Sequence, residues 1–290
     1  MERQRDDLIV GDALTVLKGL APESVDLGIT SPPYNKQENK KGWFVKNVKY
    51  LSTSDKKVED TYQKEQIAVL NELYRVTKPG GSFFYNHKTR WEKGVLIHPM
   101  QWLAKTEWTI RQEIIWDRMI AANIRGWRFW QTDERIYWLY RPIKDQKIGK
   151  EILSRHALLT SIWRFPPERD NVHPAPFPVL LPLRCIYSIL DDEKGATVID
   201  PYLGSGSTVI AARLLGHQYI GIDISQEYID LTNERLKNLR RYASVVADEK
   251  SRHIVRKTFK ERKINGDFTG RFSGTQMGLH QTVSYVNTLF

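Results

Sequence analysis

Apolar residues along the chain fall into short runs separated by amphipathic stretches. Leu8-Ile9-Val10, Val25–Ile29, Ser82–Asn86 and Ile110–Trp116 have the length and density of buried strands. Between them, Ala13–Leu20, Tyr62–Val76 and His98–Lys105 carry helical patterns, the second with Ile67, Leu70, Leu73 and Tyr74 along one face. Lys78-Pro79-Gly80-Gly81 stops that helix. The alternation predicts an α/β fold, a parallel sheet with helices on its faces. The rhythm returns late in the chain. A strand ending at Asp200, a helix over Val209–Leu215, a strand over Tyr219–Asp223 and a helix over Ser225–Leu239, with Ser225 as N-cap, make a βαβα block.

Four stretches break the pattern. Lys36–Asp60 is polar and lysine-rich with Trp43 and Phe44 embedded, and is too long for an idle connection. It is expected to be a loop closing over a site, with Lys40, Lys41 and Trp43 as phosphate and base contacts; a solvated insertion has the same composition. Residues 117–164 form a second insertion. Within it, Arg135–Arg141 alternates like a strand of the main sheet, while Ile124–Trp130 interleaves Arg125 and Arg128 with Trp127, Phe129 and Trp130. Guanidiniums among rings suit phosphates, base edges and stacking, so Arg125, Arg128 and Trp130 are candidate nucleic-acid contacts; a packed hairpin with snorkelling arginines reads the same way. Pro166–Pro182 is proline-dense and is expected to be a rigid loop before a helix near Leu183–Leu190. From Arg240 to Phe290 the chain is basic, then rich in Gly, Ser and Thr, and reads as a tail without its own core. The main domain is therefore expected over 7–239.

Charge sharpens this picture. The 290 residues carry a formal net charge of +10, with nine Trp and thirteen Tyr, which points toward a polyanionic partner. The single cysteine, Cys185, sits in an apolar run and reads as a small buried hydrophobe, so intramolecular disulfides and a cysteine-rich metal site are excluded. No metal site is expected. No signal peptide or membrane-spanning run is evident, and a cytoplasmic location is the expectation.

The candidate chemistry lies at two strand ends. Thr30-Ser31-Pro32-Pro33-Tyr34-Asn35 follows the second strand. Consecutive prolines end the ladder and make a stiff, open corner bearing the Ser31 hydroxyl, the Pro32 carbonyl and the Tyr34 ring. Such groups can hold a planar base by its face while accepting from its exocyclic amine, although an ordinary strand-ending turn needs no more than the prolines. Asp200-Pro201-Tyr202-Leu203-Gly204-Ser205-Gly206 turns from strand into helix, and Asp223 ends the next strand, where a carboxylate can accept from ribose hydroxyls. Ser207 stands where a phosphate-binding loop would carry Lys, and Val209 replaces the third glycine of a dinucleotide fingerprint, so a nucleoside without pyrophosphate fits better than ATP or NAD. Asp12, at the end of the first strand, is either a cofactor contact or the N-cap of the following helix.

Together the two motifs resemble those of S-adenosylmethionine-dependent DNA amino-methyltransferases, whose signatures are (Asp/Asn/Ser)-Pro-Pro-(Tyr/Phe) and Asp-Pro-Phe-x-Gly-x-Gly. Here Tyr202 replaces the usual Phe. The catalytic motif comes first, so the order resembles the circularly permuted beta class. The resemblance implies a Rossmann-like class I methyltransferase fold, doubly wound about a mostly parallel seven-stranded sheet. It implies that Ser31, Pro32, Pro33 and Tyr34 form the catalytic corner, with Ser31 and the Pro32 carbonyl accepting from the amine and Tyr34 stacking on a flipped base. It implies S-adenosylmethionine as cofactor, bound by Asp12, Asp200, Tyr202, Gly204, Ser205, Gly206 and Asp223. The expected partner is double-stranded DNA in the nucleoid, with a homodimer and a cognate restriction endonuclease as further candidates. Ser31 leans toward cytosine N4 as the target, with adenine N6 the alternative. RNA or protein-glutamine methylation and a non-enzymatic DNA-binding module are lesser alternatives.

Overall fold

The computed structural model describes residues 6–35, 57–121, 124–143, 160–168, 177–253 and 264. Its centre is a mixed sheet of eight strands. In chain order the elements are β1 (Asp6–Val10), α1 (Ala13–Gly19), β2 (Val25–Thr30), α2 (Glu59–Val76), β3 (Thr77–His87), a small hairpin β4 (Arg90–Glu92) and β5 (Val95–Ile97), α3 (Met100–Leu103), β6 (Thr109–Asp117), β7 (Asp133–Tyr140), β8 (Ile162–Arg164), α4 (Leu180–Leu190), β9 (Thr197–Asp200), α5 (Ser207–Leu214), β10 (Gln218–Asp223), α6 (Gln226–Lys237), a 3₁₀ turn (Leu239–Tyr242) and α7 (Ala243–His253).

The strand order is β1-β10-β9-β2-β3-β7-β6-β8. The first five pair in parallel, and β7 is antiparallel to both β3 and β6. Two corrections follow. The sheet has eight strands rather than seven, because Ile162–Arg164 pairs in parallel with Ile115–Asp117 at the edge; three residues are too few to show a period. The fourth predicted strand also does not extend a purely parallel sheet, since the antiparallel β7 lies between β6 and β3.

Helices cover both faces. α1, α2 and α3 pack over Leu17, Leu70, Leu73, Phe83 and Trp102 on one side. α4, α5 and α6 pack over Leu183, Ile186, Val209, Ile210 and Ile229 on the other. α4 begins at Leu180, so Pro182 lies inside a helix that was expected to start after it. In the first turn a missing N–H breaks no intrahelical bond.

The chain beyond Arg240 also departs from expectation. Tyr242 is buried, and α7 docks on α4 through Arg184, whose Nε and Nη2 donate to the two carboxylate oxygens of Glu249 at 2.5 and 2.8 Å. Both partners are buried. Part of the expected tail is therefore a helix held against α4 at Glu249. Among the described residues, no helix is long and apolar enough to cross a membrane.

Candidate active site

The two motifs meet at the C-terminal ends of two neighbouring strands in the middle of the sheet. β2 and β9 are parallel neighbours, with Leu27 opposite Val198 and Gly28 opposite Ile199. Their C-terminal ends are tied directly: the Thr30 hydroxyl donates to Asp200 Oδ1 at 2.6 Å, across 170 positions of sequence. Asp200 Oδ1 also accepts from the Tyr202 amide at 3.1 Å, and Oδ2 accepts from the Thr208 hydroxyl at 2.6 Å. Burial raises this carboxyl to about 6, against the pull of the three donors. Asp200, the expected cofactor contact, is fully buried, with both carboxylate oxygens held by these donors. It joins the catalytic strand end to the glycine turn.

That turn needs its glycines. Gly204 and Gly206 have φ of 51° and 82°, and a Cβ on Gly206 would lie 2.5 Å from Thr232 Cγ2 and Oγ1 of α6. Asp223 at the end of β10 braces the turn: Oδ2 accepts from the Gly204 amide at 2.8 Å and Oδ1 from the Ser225 amide at 2.9 Å. The carboxylate remains only partly buried, and that burial raises its pKa. Ser205, a predicted cofactor contact, is buried, with its oxygens turned to α6. Its hydroxyl and carbonyl oxygens accept from Arg235 Nη1, at 3.0 and 2.5 Å, and Arg235 also pairs with Glu168. The Tyr202 hydroxyl accepts from Gln66 Nε2 of α2 at 3.4 Å. Asp12 caps α1, accepting from the Thr15 amide and hydroxyl, and stays exposed. It follows the β1 end at which Val10 pairs with Asp223.

The proline corner is less open than expected. The Tyr34 ring is 5 % exposed and lies against His87, with centroids 4.7 Å apart. So placed, it offers little of its face to a base, and it is the phenol oxygen that enters a polar cluster. Ser31 Oγ and Tyr34 Oη are 2.5 Å apart, and Tyr34 donates to Glu134 Oε2 at 2.9 Å. Asn86 Nδ2 donates to all three oxygens: Tyr34 Oη at 2.8 Å, Glu134 Oε2 at 2.9 Å and Ser31 Oγ at 3.3 Å. Arg118 Nη1 donates to Glu134 Oε1 at 2.6 Å. Burial, and then the Glu134 charge, push the Tyr34 phenol well above its ordinary pKa. Behind the corner, the Tyr62 hydroxyl donates to the Pro33 carbonyl at 2.7 Å, and Asn35 exchanges hydrogen bonds with the Lys57 backbone and donates to Glu59.

Asn86, Arg118 and Glu134 were missed in the sequence. Asn86 looked like the last residue of a buried strand, and Glu134 like the residue before one. The topology brings them together: β7 runs against β3, with His87 opposite Arg135, so its beginning reaches the edge where the parallel strands end.

Next to this edge, the connection between β6 and β7 carries exposed rings. Phe129 is 98 % exposed, Trp130 65 % and Trp127 58 %. The Arg128 guanidinium lies 4.2 Å from the Trp91 ring centroid, and Arg125 is half-buried. Trp127 in turn meets Trp91 edge-on at 6.2 Å, so this part of the connection packs as the hairpin alternative describes, while Phe129 stands clear. Lys40, Lys41 and Trp43 fall outside the described residues.

At the C-terminal ends of the parallel strands of this mixed sheet, a glycine turn, a terminal acid and a Ser-Pro-Pro-Tyr corner thus stand together. The chain belongs to the N6/N4 DNA methylase family, whose pattern matches residues 25–234. It is thus a DNA methyltransferase acting on an amino group. It is 26 % identical over 259 residues to the type II methyltransferase M.ScaI of Streptomyces caespitosus, covering 78 % of this chain and 80 % of that one. Among solved structures, the cytosine-N4-specific PvuII DNA methyltransferase superposes with a TM-score of 0.63 at 16 % identity, over 84 % of this chain and 93 % of that one. The M1.HpyAVI complex with SAM gives 0.54 at 19 % identity, over 80 % and 100 %.

Proposed function

We propose that this protein transfers a methyl group from S-adenosylmethionine to N4 of a cytosine flipped out of duplex DNA, as the methyltransferase of a restriction–modification pair. The observation that carries the reading is the Thr30–Asp200 bond, which holds the Ser31 corner and the Gly204–Gly206 turn side by side. The donor set suits this cofactor. Asp223 and Asp12 supply carboxylates at adjacent strand ends for ribose hydroxyls, adenine and the positive charge, and the turn's positive-φ backbone allows close approach. Bound there, S-adenosylmethionine supplies an electrophilic methyl group. The motif order, with β9 and β10 following β2 and β3, supports the circularly permuted arrangement.

The protein's own task is to make the amine nucleophilic. An exocyclic nitrogen is a poor nucleophile because its lone pair is delocalised into the ring. Ser31 Oγ and the Pro32 carbonyl accept its two hydrogens, draw the nitrogen toward tetrahedral geometry and aim the lone pair. Flipping the base costs a few kcal/mol. The exposed Trp127, Phe129 and Trp130, with Arg125 and Arg128, would hold the distorted duplex, a role their exposure supports. Ser31 at the first motif position favours cytosine, and Asn35, a feature of adenine enzymes, spends its amide on Lys57 and Glu59.

Sequencing DNA from cells expressing the protein with a modification-sensitive method tests this. N4-methylcytosine at a fixed sequence is expected. N6-methyladenine would overturn the base assignment, and methyl incorporation only into RNA or protein would overturn the reading itself.

A further inference from the structure

Methyl transfer leaves the amine nitrogen with a proton it must lose, and the proposed acceptors, a hydroxyl and a carbonyl, cannot keep one. The side chains behind Ser31 provide a route. We propose that Glu134 is the terminal proton acceptor of the reaction, reached from Ser31 through the hydroxyl of Tyr34. This rests on the methyltransferase reading above and assigns the site a proton relay.

The geometry is continuous. Ser31 Oγ is 2.5 Å from Tyr34 Oη, which is 2.9 Å from Glu134 Oε2. Tyr34 and Glu134 are both buried, so solvent cannot readily replace either link. Arg118 occupies the other carboxylate oxygen and leaves Oε2 facing the phenol. Asn86 donates to all three oxygens and so fixes their spacing while having no site for a proton of its own.

The step balances as follows. The nitrogen lone pair forms the new N–C bond as the C–S bond breaks with its electrons staying on sulfur. The nitrogen, now cationic, gives a proton to Ser31 Oγ. The Ser31 hydrogen passes to Tyr34 Oη, and the Tyr34 hydrogen passes to Glu134. The products are a neutral methylamino group and a neutral carboxylic acid. A cationic nitrogen attached to an electron-poor ring is a strong acid, so a carboxylate already paired with Arg118 is base enough. The raised Tyr34 pKa keeps that residue a phenol, which releases one proton only as it receives another. Glu134 acts through Tyr34 and Ser31 and is a positioning residue for the reaction, not a substrate contact.

The test uses the full chain, duplex DNA carrying the site found by sequencing, and Glu134→Gln, Glu134→Asp and Tyr34→Phe. Single-turnover methyl transfer is measured beside three readouts that do not depend on turnover: S-adenosylmethionine affinity by calorimetry, DNA affinity, and extrusion of a fluorescent base analogue at the target position. Glu134→Gln and Tyr34→Phe are each expected to lower the single-turnover rate constant by about 10²–10⁴, the range of general-base catalysis. Both affinities and the extrusion signal should stay within about twofold, and Glu134→Asp should recover about tenfold over Glu134→Gln. Tyr34→Phe keeps the ring, so stacking alone would preserve its activity. Near-wild-type turnover in Glu134→Gln or Tyr34→Phe would overturn the relay, as would losses that track lost binding or extrusion. A wild-type chain that binds S-adenosylmethionine but methylates no DNA would overturn the functional reading and the relay with it.

Discussion

Replacing Thr30 with Val removes one hydroxyl and little volume. Thr30 is 1 % exposed and Asp200 0 %, and their 2.6 Å bond joins a hydroxyl to a carboxylate. A hydrogen bond to a charged group contributes about 1.5–3 kcal/mol, against about 0.5–1.5 for a neutral pair. Thr30→Val should therefore cost about 2 kcal/mol near neutral pH, or roughly 4–8 °C in Tm for a domain of this size. The pH dependence identifies the cause. Asp200 lies at about 6 in the folded protein, against an ordinary 3.8, because burial outweighs its donors. A folded carboxyl that keeps its proton to higher pH contributes its stability in full below the unfolded value and loses it as pH rises through the folded one. Asp200 thus costs roughly 3 kcal/mol between pH 4 and pH 7. Thr30 is among the donors holding that value down, so losing it moves the window upward and deepens the cost above it. Urea unfolding at pH 4.5 and pH 8 should show a Thr30→Val penalty about 1 kcal/mol larger at pH 8. An equal penalty at both, or one under about 0.5 kcal/mol at pH 8, would refute the reasoning.

Three further substitutions probe other parts of the fold. Gly206→Ala places a Cβ at φ +82°, 2.5 Å from Thr232 Cγ2 and Oγ1 and 2.9 Å from its Cβ, and should lower S-adenosylmethionine affinity measured by calorimetry; adding Thr232→Gly should relieve the contact while leaving about 1–2 kcal/mol of backbone strain. Phe129→Ala should change Tm negligibly, because the ring is 98 % exposed, yet weaken DNA binding in fluorescence anisotropy by about tenfold, the scale of one base–aromatic contact. Glu249→Gln leaves the buried Arg184 guanidinium without its charge partner and should cost about 3–5 kcal/mol in urea unfolding, with under 1 kcal/mol showing that α7 is not anchored there.

The site's frame was legible because its parts lie at strand ends, and strand ends are marked by residues with backbone consequences. Pro32-Pro33 and Gly204–Gly206 announce themselves, and the alternation of strands and helices places them in a parallel sheet. What could not be read depends on partners distant in sequence. Nothing local distinguishes an Asp200 that touches a ligand from one tied to Thr30 and Thr208. Tyr34 looked like an open platform because its partners, His87 and Glu134, arrive from β3 and β7. The α7 segment looked like a tail because its charges are numerous; one of them, Glu249, is matched by an arginine inside a mostly apolar helix.

The position of β1 bears on how the enzyme comes into being on the ribosome. Among the described strands, β1 pairs only with β10, which follows it in the chain by about 200 positions, and β9 must slot between β10 and β2. At about 5–20 residues per second, roughly 200 intervening residues take some 10–40 s to be made. Throughout that interval β1 lacks the one partner it has among the described strands. A nascent chain thereby cannot close its central sheet until β9 and β10 have been translated, and until then its unpaired edge is open to chaperones.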